Sequence, residues 1–324
     1  MDMVYGALDI GGTKIAGALV SADGRVLARV QRPTPAREPA ESLMAVVTSV
    51  LDELSAQPEW RSLACLGIAS AGPVDTAAGT VSPVNIPGWR GFPLVDRVRA
   101  HPGLPADVGV TLIGDAVAMA AAEHWLGAAR GVDNALCMVV STGVGGGLIL
   151  NGRLHPGRSG NAGHIGHISV DLDGSDCPCG ARGCVEGLAS GTAIAAHASA
   201  AGWRAPAGVA PDAASVAAAA AAGDPVALAA YDRAAQALAA AIAATAALVE
   251  LDLAVIGGGV AQSGDVLFVP LRRWLTRYAV LDFARDVAVV PAGLALDAGL
   301  IGAAAAGAAA LEAGSRPYAP VAGV

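Results

Sequence analysis

Three short stretches rich in apolar residues open the chain, at 5–9, 15–20 and, with Arg25, Arg29 and Gln31 interspersed, 25–31, and they are predicted strands separated by Gly11-Gly12 and by Ala22-Asp23-Gly24. The period then lengthens. Leu43, Val46, Val47, Val50, Leu51 and Leu54 recur at three- and four-residue intervals, which predicts a helix over 38–56. Residues 63–70 form an unbroken apolar run, a buried strand closed by Ala71-Gly72-Pro73. The Gly/Pro-rich stretch 82–93 reads as an ordered surface loop. A strand at 108–113 runs into Asp115 and a helix at 116–126, and this junction is the natural domain boundary.

The second half repeats the opening grammar. A strand at 135–141 meets the glycine run 142–147, predicted as a turn, before a strand at 148–150. Alanine-rich helices are predicted at 192–201, 215–222 and 226–250, then a strand at 253–256 ending in Gly257-Gly258-Gly259. A helix at 266–277, a strand at 287–290 and a helix at 298–311 complete the pattern, and 315–324 is expected to be a mobile tail. Strands alternating with helices, with strand, glycine turn and strand opening both halves, predict a duplicated α/β fold.

Composition narrows the function. The 324 residues suffice for two domains, and a formal charge of −8 without a basic stripe argues against nucleic acid. The opening MDMVYGALDI lacks the layout of a secretory leader, and the run 234–249 reads as too short and too weakly apolar to span a bilayer. A cytoplasmic location is the expectation. Cys65 and Cys137 lie in strand-like runs and are read as core.

The other three cysteines are different. Cys177, Cys179 and Cys184 crowd into eight residues, ten positions after His167 and two before Glu186. Three thiolates and an imidazole suit a closed, tetrahedral, structural zinc site. A disulfide or three core cysteines are the competing readings, and the absence of a leader favours zinc.

Three glycine-rich turns follow strands, at Gly11-Gly12, Thr142–Gly147 and Gly257–Gly259. Such turns bring backbone N–H groups close to phosphates, and the first adds Asp9, Thr13 and Lys14 as candidates for magnesium and phosphate. None matches the Walker A or dinucleotide pattern. Asp115, between a strand and a helix, is a candidate general base or simply a helix cap.

Read together, LDIGGTK at 8–14, AGPVD at 71–75, STGVGGG at 141–147, the GHIGH…CPCGARGCVEG block, VIGGG at 255–259 and DAGLIGAA at 297–304 resemble the ROK family (repressor, open reading frame, kinase) of bacterial sugar kinases. The resemblance implies two actin/hexokinase-like, ribonuclease H-like α/β domains with ATP and sugar meeting in an interdomain cleft. It divides the chain at 115/116, with the C-terminal helix, 298–324, completing the first domain. It implies transfer of the γ-phosphate of ATP, carried with Mg2+, to a hexose 6-hydroxyl, and a homodimer or homotetramer. By motif, Asp9, Gly11, Gly12, Thr13, Lys14, Thr142, Gly143, Gly257, Gly258 and Gly259 would hold nucleotide. Asp115 would be the base, and Gly72, Asn85, His164, His167 and Glu186 would contact sugar, His167 also ligating zinc.

Two positions depart from the family pattern. Gly114 stands where many members carry Asn, and His164 where glucokinases carry Glu, while the AGHIGH arrangement is similar to N-acetylmannosamine kinases. An N-acetylhexosamine is therefore favoured, with glucose next and a non-catalytic sugar sensor as the rival. A family repressor would need a DNA-binding domain ahead of the first strand, which starts by residue 5. His101, His124 and His197 are assigned packing or exposed positions, and His155 a loop. Trp89 either stacks on sugar or anchors its loop, and Trp60, Trp125, Trp203 and Trp274 are read as packing.

Overall fold

The computed structural model describes residues 3–294 and 297–314, so the expected mobile tail at 315–324 lies outside the described residues. In chain order the elements are β1 (Val4–Ile10), β2 (Lys14–Ser21), β3 (Val26–Pro33), α1 (Ala40–Ser55), β4 (Leu63–Ser70), β5 (Val74–Asp75), β6 (Thr80–Val81), α2 (Leu94–Arg99), β7 (Gly109–Gly114) and α3 (Asp115–Trp125). There follow β8 (Ala135–Val140), β9 (Val144–Leu150), β10 (Arg153–His155), α4 (Glu186–Ala189), α5 (Gly191–Ala200), α6 (Ala213–Ala221) and α7 (Pro225–Val249). The chain ends with β11 (Leu253–Gly257), α8 (Asp265–Tyr278), β12 (Ala288–Pro291) and α9 (Ala298–Glu312).

Two compact units result. The first holds 3–127, His155–Ala162 and 297–314, and the second Ala128–Leu154 and 163–294. The junction thus falls after α3 and not at 115/116. The reason is packing: Gly302 of α9 meets the Ala118 carbonyl of α3 so closely that no side chain fits between them. Gly67 of β4 meets the Ala303 backbone in the same way. A helix made almost wholly of alanine and glycine can approach α3 and the sheet at backbone distance, and α9 does both.

The first unit's sheet has the order β3-β2-β1-β4-β7, with β1 antiparallel to β2 and parallel to β4. The central strands are mostly apolar because both faces are covered, Asp9 and Ser70 near their carboxyl ends being the exceptions. Their side chains alternate by size. Leu8, Ile10, Leu66 and Ile68 join the core that includes Leu43, Val47 and Leu51 of α1. The intervening Cys65 and Gly67 face Gly307 and Ala303 of α9. This alternation also puts Asp9 on the α9 side of the sheet, since strand side chains point to opposite faces in turn.

The second unit repeats the topology: its order is β10-β9-β8-β11-β12, again with one antiparallel neighbour and two parallel strands beyond. The duplication predicted from two glycine turns is a real property of both sheets. Its core gathers around α7, with Tyr231, Leu238 and Ile242 essentially unexposed. Helix α7 starts at Pro225, earlier than the apolar run alone suggests, and is long and apolar enough to cross a membrane by length and composition. Just over half of that stretch, 56%, is buried inside the protein, as in a core helix.

One strand starts earlier than predicted. Gly145–Gly147 are not a turn but the middle of β9, which begins at Val144. The glycines are there because another backbone crosses them: a side chain at Gly146 would sit 2.9 Å from the Cys137 carbonyl and 3.1 Å from the Gly163 carbonyl. The short α2, α4 and β10 have no periodicity to announce them, and His155 closes β10 instead of lying in a loop.

Candidate functional site

Three parallel strands of the first unit end level. Ile10 pairs with Ser70, and Ser70 with Gly114, so the segments leaving β1, β4 and β7 emerge along one edge of the sheet. In open α/β sheets this carboxyl-terminal edge is where ligands bind. Gly11–Lys14, Gly72 and Asp115 all lie there. The first turn is closed by the Gly11 N–H donating to the Lys14 carbonyl at 2.9 Å and is braced by the Thr34 hydroxyl on the Gly11 carbonyl at 2.7 Å. The Asn85 side chain lies directly over Gly12. Ala71 donates to the Ile10 carbonyl at 3.0 Å, which seats the cis Gly72–Pro73 peptide beside the turn. Thr13 and Lys14 are exposed.

Asp115 is the first residue of α3, and Gly114 is its N-cap, so the capping alternative does not describe it. Its side chain is exposed, and Oδ1 accepts the Ala116 N–H at 2.7 Å. Asp9, by contrast, is set back under the helix: a side chain at Gly299 of α9 would sit 2.5 Å from Asp9 Oδ2. Burial pushes the Asp9 carboxyl from its ordinary 3.8 up to about 6; Lys14 pulls it down, while Asp115 and Asp297 push it further up. Three carboxylates and one ammonium therefore share this edge. Oxygen donors of that kind suit a hard divalent cation, which would hold Asp9 ionised.

The second unit has the equivalent edge. Gly257 pairs with Val139, so the chain leaving β8 at Ser141–Gly143 and the chain leaving β11 at Gly258–Gly259 emerge side by side. Gly257 is the last strand residue and not part of the turn. Gly258 has φ +89° and lies against the Val140 carbonyl, a conformation and a clearance that only glycine combines. A cavity of about 500 Å³ opens here, lined by Thr142, Thr192, Ala195, Ser199, Asp212 and Gly259. The N-terminus of α5 forms one wall: Ser190 caps it, Gly191 donates to the Ser141 carbonyl at 2.7 Å, and the Thr192 hydroxyl reaches the Thr142 carbonyl at 3.0 Å. Sequence reasoning found Thr142 and Gly259 but missed the α5 and α6 walls, whose only local sign is the capping serine and Asp212.

The cysteine loop forms a cluster. One ligand atom each from His167, Cys177, Cys179 and Cys184 lies within 4.8 Å of the others. Cys179 and Cys184 Sγ are 3.8 Å apart, and Cys177 Sγ is 3.9 Å from His167 Nδ1. Tetrahedral ligands ~2.3 Å from one zinc ion would be about 3.8 Å apart, so the donor set fits that metal in both chemistry and spacing. None of the described cysteines forms a disulfide. The Cys177–Gly180 turn and the Ser169–Cys184 bridge hold the loop. Burial and the neighbouring thiols push Cys184 up to about 12, whereas the Ala181 backbone and Cys177 lower Cys179. Two residues on, Glu186 Oε2 accepts the Val144 N–H at 2.9 Å and lies against Gly143, which ties the loop to the second glycine turn. The rings of His164 and His167 are 6.3 Å apart, both exposed. His167 directs Nδ1 to the thiols.

Other expectations resolve plainly. Trp89 is fully buried, stacks on Phe92 with centroids 4.5 Å apart and donates to the Ala40 carbonyl, so it anchors its loop. His101 is buried between Asp52 and the Gly103 N–H. His197 lies half-buried on α5, where burial and then Arg233 lower its pKa. Asp297, Gly299 and Thr34 were missed at the first edge, although Asp297 and Gly299 stand in the DAGLIGAA stretch. Asn161 was missed too; its amide takes and returns hydrogen bonds with Val74, just after Pro73.

Known proteins match this arrangement along nearly the whole chain. Residues 5–309 match the model of the ROK family. A glucokinase of Thermotoga maritima is 36% identical over 308 residues, 92% of this chain and 95% of that protein. An N-acetylmannosamine kinase of Yersinia pseudotuberculosis is 38% identical over 298 residues, covering 92% and 96%. The structure of a ROK family glucokinase from Streptomyces griseus in complex with glucose and AMPPNP superposes with a TM-score of 0.76 at 32% identity, covering 94% of this chain and 99% of that one.

Proposed function

Because the chain belongs to the ROK family and is a sugar kinase of that type, we propose that it transfers the γ-phosphate of ATP to the 6-hydroxyl of an N-acetylhexosamine, N-acetylmannosamine or N-acetylglucosamine. The observation that carries the reading is Asp115: an exposed carboxylate at the end of β7, level with the Gly11–Gly12 turn. Asp115 takes the proton from the substrate hydroxyl as that oxygen attacks. The glycine turns and Lys14 position phosphates, and Asp9 is placed to hold a magnesium ion, which supplies charge neutralisation when bound. Gly72 and Asn85 in the first unit, and His164, His167 and Glu186 in the second, are the candidate sugar contacts. The cavity between β8, β11 and α5 takes the base and ribose of the nucleotide, its apolar alanines and small hydroxyls suiting that load.

His167, Cys177, Cys179 and Cys184 would hold a structural zinc, and the loop they close carries Glu186 two residues on. A site of reduced thiols suits a cytoplasmic enzyme. A symmetric homodimer or homotetramer is the expected assembly.

The choice of sugar rests on the AGHIGH arrangement at 162–167, and position 114 bears on it as well. A side chain there would meet nothing closer than Val117 at 3.7 Å and Gly160 at 3.9 Å, so the space that an Asn would fill is open to a bulkier substrate. Glucose is the second reading, supported by the relatives named glucokinase. ADP release with glucose, mannose, N-acetylmannosamine and N-acetylglucosamine tests both. Turnover on none of the four sinks the kinase reading in favour of a sugar-sensing protein. Asp115→Asn should lower kcat by roughly 10²–10⁴ with sugar affinity kept; an active variant would show that the base lies elsewhere.

A further inference from the structure

The first unit contains a second cavity, of about 370 Å³, at the other end of the elements that carry the carboxylates. It is bounded by the first half of β7 and by the last turns of α9, whereas Asp115 follows the end of β7 and Asp9 lies by the start of α9. Its size falls within the ~300–1,000 Å³ of ordinary small-molecule pockets. Strand β7 is the edge of its sheet and pairs with β4 alone among the described residues.

The lining has two parts. Val95, Val110 and Leu112 supply an apolar interior, with the exposed Leu311 at its edge. Thr111 is only 6% exposed, lines the cavity, and its hydroxyl has no hydrogen-bond partner among the described residues. Only His197 Nδ1 is a fully buried, unpaired side-chain polar atom among the described residues, so the Thr111 hydroxyl is open to the cavity, where a ligand group can hydrogen-bond it. At the rim stand Arg99, Asp96 and Asp107, none of which forms an ion pair with a described residue.

We propose that this cavity binds a small zwitterion with an aliphatic body, the chemistry of a free branched-chain α-amino acid. Arg99 meets the carboxylate, Asp96 and Asp107 meet the ammonium, and the side chain enters the apolar interior beside Thr111. Acidic groups outnumber the single guanidinium at the rim, which disfavours phosphates and other multiply charged anions. Free sugars lack the apolar body that the interior would desolvate.

The test is calorimetric titration of the full chain with leucine, isoleucine and valine, beside leucinamide and 4-methylpentanoate, which each keep one charge. Saturable binding of the amino acids is expected, with both single-charge analogues weaker. Thr111→Val keeps the shape of the side chain and should weaken leucine by about tenfold, as loss of one hydrogen bond does. Arg99→Ala, at an exposed position, should weaken leucine and 4-methylpentanoate but leave leucinamide nearly unchanged. Ala310→Phe should fill the cavity and abolish binding. The proposal is overturned if no amino acid binds up to about 10 mM, an affinity weaker than about −2.7 kcal/mol, or if binding is unaltered in both Thr111→Val and Arg99→Ala. Asp115→Asn should bind leucine normally, so this test stands apart from that of the kinase reaction.

Discussion

Replacing Asp9 by Asn should make the first unit more stable at neutral pH while stopping turnover. The carboxyl is raised from 3.8 to about 6, chiefly because burial under the start of α9 removes water from it. At ~1.4 kcal/mol for each pH unit, the ionised group costs the folded state up to about 3 kcal/mol. The sign follows from the direction. Below pH 3.8 both folded and unfolded chains carry a neutral carboxyl, and there is no penalty. Between 3.8 and about 6 the unfolded chain loses its proton first, so stability falls as pH rises, and above about 6 the full penalty applies. Urea unfolding of wild type and Asp9→Asn, followed by circular dichroism from pH 4 to 7.5, should show the two converging at the acid end. They should separate by about 3 kcal/mol at the other, the variant being the more stable. Adding magnesium with a nucleotide should raise wild type more than the variant. A constant difference across the pH range, or a variant less stable at pH 7.5, would refute the assignment of strain to this buried charge.

If the cysteine cluster takes zinc as proposed, Cys184→Ser should lower the zinc content per chain and the unfolding temperature of the second unit; an unchanged zinc content, measured by mass spectrometry, would contradict the ligand set. Gly258→Ala should destabilise the second unit by about 1–3 kcal/mol, because Ala at φ +89° is strained and its methyl meets the Val140 carbonyl; equal stability in denaturant titration would contradict that. Trp89→Phe should cost stability but leave the sugar KM within about twofold, since lost packing is not lost binding. A tenfold rise in KM would restore the stacking role. Gly114→Asn should shift the kcat/KM ratio toward glucose and away from N-acetylhexosamines, and an unchanged ratio would show that this space does not select the sugar.

Much of the molecule was legible in the chain because its signals are local. Continuous apolar runs announced β1, β4, β8 and β11, since strands covered on both faces need no polar residue. The 3.6-residue spacing announced α1, and the His167/Cys177/Cys179/Cys184 set was readable because all of its ligands lie within 18 consecutive positions. Where glycine was the signal, reading failed in an instructive way. Gly145–Gly147 looked like a turn and proved to be strand, because the crossing backbone that demands them lies sixteen or more residues further on.

What pattern alone determined is the α/β class, the repeated strand-turn-strand openings and the types of ligand atom available. Folding decided the rest, since it depends on pairs far apart in the chain. Residues 297–314 join a unit built mainly from the first 127 because their alanines and glycines allow backbone contact with α3 and β4. Asp9 becomes a perturbed acid only when Gly299 covers it, and Thr111 faces a cavity only because α9 ends beside β7. Burial and proximity create those properties, and neither is a property of local sequence.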